Sequence, residues 1–282
     1  MAVRERKRPY RGPMAEVRGL KPEELWANMP DTVGLTRELI RDVGGWPGLV
    51  IPYSHTLTPL DLREDDFLLD VGCGVGEHIV LAGLGMPGEI NPVRFAVGLS
   101  AGRDEIKYAM RLARWASNNK ERFRGIVGLK VRTMIDLRDD ALYFGGAEPG
   151  DMPENISFMN TNIFHLPLAD NTADKTLSSS VASYIKSPLK RATMFKELLR
   201  VTREGGLINV GSYDYPKADG SITTAAEGIQ DAAHKLGVVL NERPDLMALA
   251  SKPKPDGKYV YTIKVFELAR KPKELPAGIF RG

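Results

Sequence analysis

Asp70, Gly72, Gly74 and Gly76 alternate with Val71, Cys73 and Val75, and Glu77 follows. The run begins at the apolar Phe67-Leu68-Leu69 and leads into His78-Ile79-Val80-Leu81-Ala82. Glycine reaches positive φ and leaves no Cβ in the path of a ligand. A glycine turn that opens a helix presents backbone N–H groups at the positive helix end, which suits a carboxylate or phosphate. A dinucleotide fingerprint needs a third glycine at position 77. That position holds Glu77, whose carboxylate would repel a pyrophosphate. A turn with no ligand is the alternative.

Proton transfer calls for side chains that titrate or carry a hydroxyl. The four histidines are His55, His78, His165 and His234. His55, with Tyr53 beside it, lies in a loop-like stretch that can fold over a cleft. His78 is expected to point along the helix after the glycine turn, and His165 lies on a later loop. Tyr184 offers a hydroxyl or an aromatic face for a cation. Tyr53, His55 and Tyr184 are thus the candidate catalytic residues, a structural role being the alternative for each. Cys73 is the single cysteine. Its place in the glycine turn fits a small packing residue better than a nucleophile, and one cysteine excludes a multi-cysteine metal site. No metal is expected.

These residues need elements to position them. Phe67-Leu68-Leu69-Asp70-Val71 reads as a buried strand, and the residues after Glu77 as a helix. Arg94 to Ser100 is a second strand, followed by a helix running towards Trp115. Ile156 to Asn160 is a third strand and Lys175 to Val181 a fourth. Thr193 to Thr202 is an amphipathic helix, Gly205 to Gly211 a fifth strand, Gly228 to Leu236 helical, and Tyr259 to Leu268 a long alternating strand. Ligands of open α/β sheets lie outside the carboxyl ends of the strands. Ser179, near the end of the fourth, is therefore expected to line the cleft.

The D-x-G-x-G-x-G pattern resembles the first motif of the class I S-adenosylmethionine (SAM) methyltransferases. The resemblance runs from Phe67 to about Ser212. It implies an α/β fold with a Rossmann-like, seven-stranded, mostly parallel sheet, helices on both faces and SAM as cofactor. Asp70, Gly72, Cys73, Gly74 and Gly76 would cradle the aminoacyl end of SAM. Many members end the second strand with an acid for the ribose, but here Leu99-Ser100 stands there. That ending resembles the sterol C-methyltransferases, cyclopropane fatty acid synthases and some sugar O-methyltransferases, which carry a Gln five residues beyond. Glu105 holds that place, so Leu99, Ser100 and Glu105 are the implied ribose contacts. Asp104, Glu105 and Lys107 equally suit an exposed first helical turn.

Thr161-Asn162-Ile163 and the following Leu166-Pro167 resemble the motif that holds adenine. Asn162 stands where that family has an acid, and its side-chain oxygen still accepts a hydrogen bond. Ile163 would touch the ring. The family's Glu and His near the fourth strand are replaced by Ser180 and Tyr184, so that acid–base pair is not carried over.

With 282 residues the chain is long enough for one α/β domain with additions, and 43% hydrophobic and 27% charged residues are ordinary for a soluble protein. Residues 1–20 read as a basic flexible tail, 21–55 as a helical N-terminal cap, and 56–282 as the SAM-binding core, with an insertion at about 118–154. A net charge of +3 is too slight to argue for nucleic acid, which is not expected as a partner. No apolar run has the length of a membrane span and no signal peptide opens the chain, so a cytoplasmic setting is expected. A homo-oligomer is left open. Together these features imply methyl transfer to a small, fairly apolar acceptor, on carbon or oxygen. The alternatives are an RNA or protein methyltransferase using the basic tail, and a protein that binds SAM without methylating.

Overall fold

The computed structural model describes residues 56–121 except Val75 and Glu89, residue 123, 150–214 except 180 and 186, residue 226, 228–246 and 260–270. The expected tail, cap and most of the insertion, with Tyr53 and His55, lie outside the described residues.

Seven strands form one sheet: β1 (Phe67–Val71), β2 (Phe95–Ser100), β3 (Ile156–Asn160), β4 (Ala173–Ser179), β5 (Thr202–Asp214), β6 (Val239–Glu242) and β7 (Val260–Arg270). Their order is β3-β2-β1-β4-β5-β7-β6. Strands β1 to β5 run parallel, and β7 enters antiparallel between β5 and β6. This is the Rossmann-like, mostly parallel architecture expected from the resemblance.

The central strand is apolar because a parallel strand with helices on both sides is buried on both faces. Leu68, Leu69 and Val71 are all fully buried. Side chains alternate across the sheet. Leu68, Leu177 and Leu207 join the core under α1 (Glu77–Leu84) and α2 (Arg103–Asn118), to which Leu57 and Leu60 of the 3-10 turn Thr58–Leu60 also belong. Leu69, Val71, Leu99, Ile208 and Val210 join the opposite core. There they meet α4 (Pro188–Val201) and α5 (Gly228–Lys235). Between β4 and α4 lies one helical turn, α3 (Val181–Tyr184).

The helices follow the usual 3.6-residue logic. Helix α2 buries Ile106, Ala109, Leu112, Ala113 and Ala116. Helix α4 buries Met194, Phe195, Leu198, Leu199 and Val201. It starts early, at Pro188, because Ser187 caps it by accepting the Lys190 N–H and proline suits the first turn. The fourth strand ends earlier than expected, at Ser179, and Val181 is already helical.

Parallel order is reversed between β1 and β4, since β2 and β3 follow on one side of β1 and β5 on the side of β4. That switch point opens a crevice at the carboxyl ends of these strands, where ligands of open α/β sheets bind.

Candidate functional site

The turn after β1 is built on the carbonyl of Leu99. The N–H groups of Gly72 and Cys73 both donate to it, at 2.8 and 2.9 Å. Gly76 N–H then donates to the Cys73 carbonyl at 2.9 Å, and α1 begins when Val80 N–H bonds back to Gly76 at 2.9 Å. Gly72, Gly74 and Gly76 all have positive φ, at 87°, 53° and 85°.

The three glycines have different reasons to be glycine. A Cβ on Gly72 would lie 2.1 Å from Cγ2 of Val181, and one on Gly76 would lie 2.7 Å from both Ala109 Cβ and the Phe158 ring. Those two allow close packing. A Cβ on Gly74 would meet nothing within 4 Å. The turn is therefore open to a ligand at Gly74.

Asp70 is 1% exposed. It shares its sheet face with Leu68 and Leu177, under α1, yet among the described residues neither of its carboxyl oxygens has a hydrogen-bond partner. His78 Nδ1 stands 3.6 Å from Asp70 Oδ2, a distance for an ion pair only when the ring is protonated. The imidazole thus reaches back over the turn to Asp70, where the sequence suggested a side chain aligned with the helix. An unbonded buried carboxyl group is costly.

Burial pushes the Cys73 thiol well above its usual range, and the nearby carboxylates of Asp70, Glu105 and Glu77 push it further the same way. A thiol held protonated is a poor nucleophile. Its sulfur fills the space over Gly98, where an added Cβ would lie 2.8 Å away. The same three acids give the turn a negative surround, adverse to a pyrophosphate and favourable to a cation.

The ends of the neighbouring strands converge on this turn. At the end of β2 the Ser100 hydroxyl donates to Glu105 Oε2 and accepts the Gly102 N–H at 3.1 Å. The Glu105 carboxylate is thereby folded back to the strand end. The Ser100 carbonyl accepts from Thr161 N–H and from Asn160 Nδ2, both at 3.0 Å, tying β3 to β2. Next, Asn162 closes a turn of its own. Its Oδ1 accepts the Phe164 N–H at 2.9 Å and its carbonyl accepts the His165 N–H at 3.0 Å. An amide oxygen has two lone pairs, so Oδ1 keeps capacity for one more donor. Ile163 is half-buried beside it. Ser179 ends β4 opposite Gly211 of β5.

Asp70, Gly72, Cys73, Gly74, Gly76, Leu99, Ser100, Glu105, Thr161, Asn162, Ile163 and Ser179 thus all lie at the carboxyl ends of β1 to β4. Tyr184 is the last residue of α3, directly after that edge. Sequence reasoning missed Phe158 and Val181 as walls of the turn. It also missed Glu197 and Arg200 of α4. Arg200 Nη1 and Nη2 bond the carbonyls of Leu168 and Leu166 at 2.7 and 2.9 Å, and Glu197 Oε2 accepts the Leu166 N–H at 2.7 Å. Burial raises the Glu197 carboxyl, but the bonds from Arg200 and Leu166 outweigh it and hold the group below its ordinary range. Among the described residues no cluster of His, Cys, Asp and Glu can hold a metal ion.

Residues 126–210 match a family model described as a methyltransferase domain. The matched segment holds β3, β4, α3, α4 and most of β5, and leaves out the glycine turn. An uncharacterized methyltransferase of Mycobacteroides abscessus is 31% identical over 105 residues, covering 29% of this chain and 39% of that protein. One from Mycobacterium leprae is 34% identical over 74 residues, or 26% of each chain. The chain thus spans less than half the length of these curated relatives. Among solved structures, the YcgJ protein of Bacillus subtilis superposes with a TM-score of 0.47 at 11% identity, over 77% of this chain and 97% of that one.

The contrast between the glycines is testable without a ligand. Gly72→Ala meets both an unfavourable φ and a clash with Val181, whereas Gly74→Ala meets only the left-handed penalty of about 1–2 kcal/mol. Thermal melts should show Gly72→Ala several degrees less stable than Gly74→Ala. Equal melting temperatures would mean that Val181 does not close the turn.

Proposed function

We propose that this chain is a SAM-dependent methyltransferase. The observation that carries the reading is the buried Asp70 carboxyl, without a donor among the described residues, beside a turn left open at Gly74. SAM carries an ammonium, a sulfonium and a carboxylate, and the site has a counterpart for each. Asp70 receives the ammonium. The positive amino end of α1 suits the carboxylate, and the acids around Cys73 favour the positive sulfur. Ser100 and Glu105 take the ribose hydroxyls, and Asn162 and Ile163 take the adenine. The match of residues 126–210 to a methyltransferase domain supports the same reading.

SAM supplies a methyl group already activated on a sulfonium. The protein's task is alignment of the acceptor and exclusion of water. A general base is needed only where the acceptor atom is neutral and protonated. Tyr53 and His55, which precede the 3-10 turn, and Tyr184 at the end of α3 are the proposed residues for that task or for contact with the acceptor. The acceptor is a small, fairly apolar molecule methylated on carbon or oxygen. Support comes from the ending of β2, where Leu99-Ser100 with Glu105 resembles the small-molecule subgroup.

S-adenosylhomocysteine should raise the melting temperature by mass action and NAD should not. Glu105→Ala should weaken binding about tenfold to a hundredfold, since hydrogen bonds to a charged group contribute about 1.5–3 kcal/mol. Glu105→Gln, which keeps an acceptor, should cost much less. Equal stabilisation by NAD, or an unchanged affinity in Glu105→Ala, would contradict the assignment. Methyl-labelled SAM incubated with a cell extract should place label in the organic phase; label recovered in RNA or protein would overturn the acceptor class.

A further inference from the structure

Arg200 lies near the C-terminal end of α4, and its guanidinium uses all five N–H donors. Nη2 bonds the Leu166 carbonyl at 2.9 Å and Glu197 Oε2 at 2.8 Å, Nη1 bonds the Leu168 carbonyl at 2.7 Å and Asp170 Oδ1 at 2.8 Å, and Nε bonds Glu197 Oε1 at 2.8 Å. Glu197 closes the circuit by accepting the Leu166 N–H. The backbone joins in, since the Asn171 N–H donates to the Arg200 carbonyl at 3.0 Å. One arginine–glutamate pair therefore grips the loop between β3 and β4 from Leu166 to Asn171. Only a planar fork with five fixed donors can serve two carbonyls and two carboxylates at once, so lysine is no equivalent.

That grip lies immediately downstream of the Asn162 turn. Upstream, Thr161 N–H fastens the same segment to Ser100 at the end of β2. Residues 162–165 are thus held between two anchors, one on the sheet and one on α4. Leu166 also shares one apolar core with Met194, Phe195, Leu198 and Leu199 of α4, and the arginine adds directional bonds to that packing. Loss of the arginine would free two carbonyls and loosen the loop while leaving the helix seated.

We propose that the Glu197–Arg200 pair is a positioning strut that sets the adenine-reading turn Asn162–His165 and so the base selectivity of the cofactor site. The assignment rests on the SAM reading above. Neither residue touches the cofactor. Arg200 acts through the Leu166 and Leu168 carbonyls, and Glu197 through the Leu166 amide.

The test uses the full chain as parent, Arg200→Ala, Arg200→Lys and the control Arg203→Ala. Arg203, at the start of β5, pairs with Asp174 Oδ1 at 2.6 Å at the start of β4. First, hydrogen exchange without ligand should quicken in residues 161–172 of Arg200→Ala and stay unchanged in β1, β4 and β5. Second, binding of S-adenosylhomocysteine is compared with that of S-inosylhomocysteine, whose base offers a carbonyl in place of the amino group. The parent should prefer the adenine compound by about tenfold or more, the value of one well-placed hydrogen bond. Arg200→Ala should lose most of that preference, Arg200→Lys should regain part of it, and Arg203→Ala should keep it whatever its melting temperature. A global loss of stability lowers both affinities together and leaves their ratio unchanged. Arg200→Ala with the parent's ratio, or with exchange quickened evenly across the sheet, would overturn the strut. A parent that binds neither compound would instead overturn the cofactor reading, and with it the strut's part in base selection.

Discussion

Burying a carboxyl group with nothing to donate to it is one of the costlier arrangements a fold can hold. Asp70 is in that position at the end of the central strand, with both oxygens unbonded among the described residues. Its neighbours on the same sheet face, Leu68 and Leu177, show what the pattern of a doubly covered strand would otherwise require. An acid there breaks the local rule at the one place where parallel order reverses and the sheet opens a crevice. Such departures concentrate at functional sites. A cationic group beside it would satisfy the acid.

The room in that crevice is made by backbone more than by side chains. Two carbonyls organise the edge of the site: Leu99 accepts from Gly72 and Cys73, and Ser100 accepts from Thr161 and the Asn160 side chain. The ends of β1, β2 and β3 are fastened to one another through these two residues. Glycine at 72 and 76 lets Val181, Ala109 and Phe158 close against the turn, and glycine at 74 keeps its outer side clear. The amino ends of the strands have their own ionic arrangement. Lys175 approaches Asp66 at 3.8 Å, and burial lowers the lysine and raises the acid from their ordinary values. That pair lies near the amino ends of the strands, away from the crevice, and belongs to the scaffold.

The glycine turn and the five parallel strands were legible because glycine spacing and continuous apolar runs report directly on backbone conformation and burial. Strand β6 was not. It is four residues, Val-Leu-Asn-Glu, at the sheet edge, too short for a period to show. The expected fourth strand runs on to Val181, the first residue of α3, because the local sequence does not show that Val181 packs against Gly72. Glu197 and Arg200, three apart on a helix, look like an ordinary surface pair. Beyond each other, Glu197 bonds the Leu166 amide and Arg200 the Leu166 and Leu168 carbonyls, some thirty positions earlier, and no local pattern points to these. Asp70 was singled out as part of a motif, but its lack of a donor is a property of the folded surroundings alone.

The central claim is that Asp70 receives the ammonium of SAM, and calorimetric titration of S-adenosylhomocysteine against its deamino analogue tests it most directly. The parent protein should bind the amino compound about tenfold to a hundredfold more tightly, as expected for a hydrogen bond between charged groups. Asp70→Asn should melt no lower than the parent and should lose that preference. Equal affinity of the parent for the two compounds, or a preference that survives in Asp70→Asn, would contradict the account.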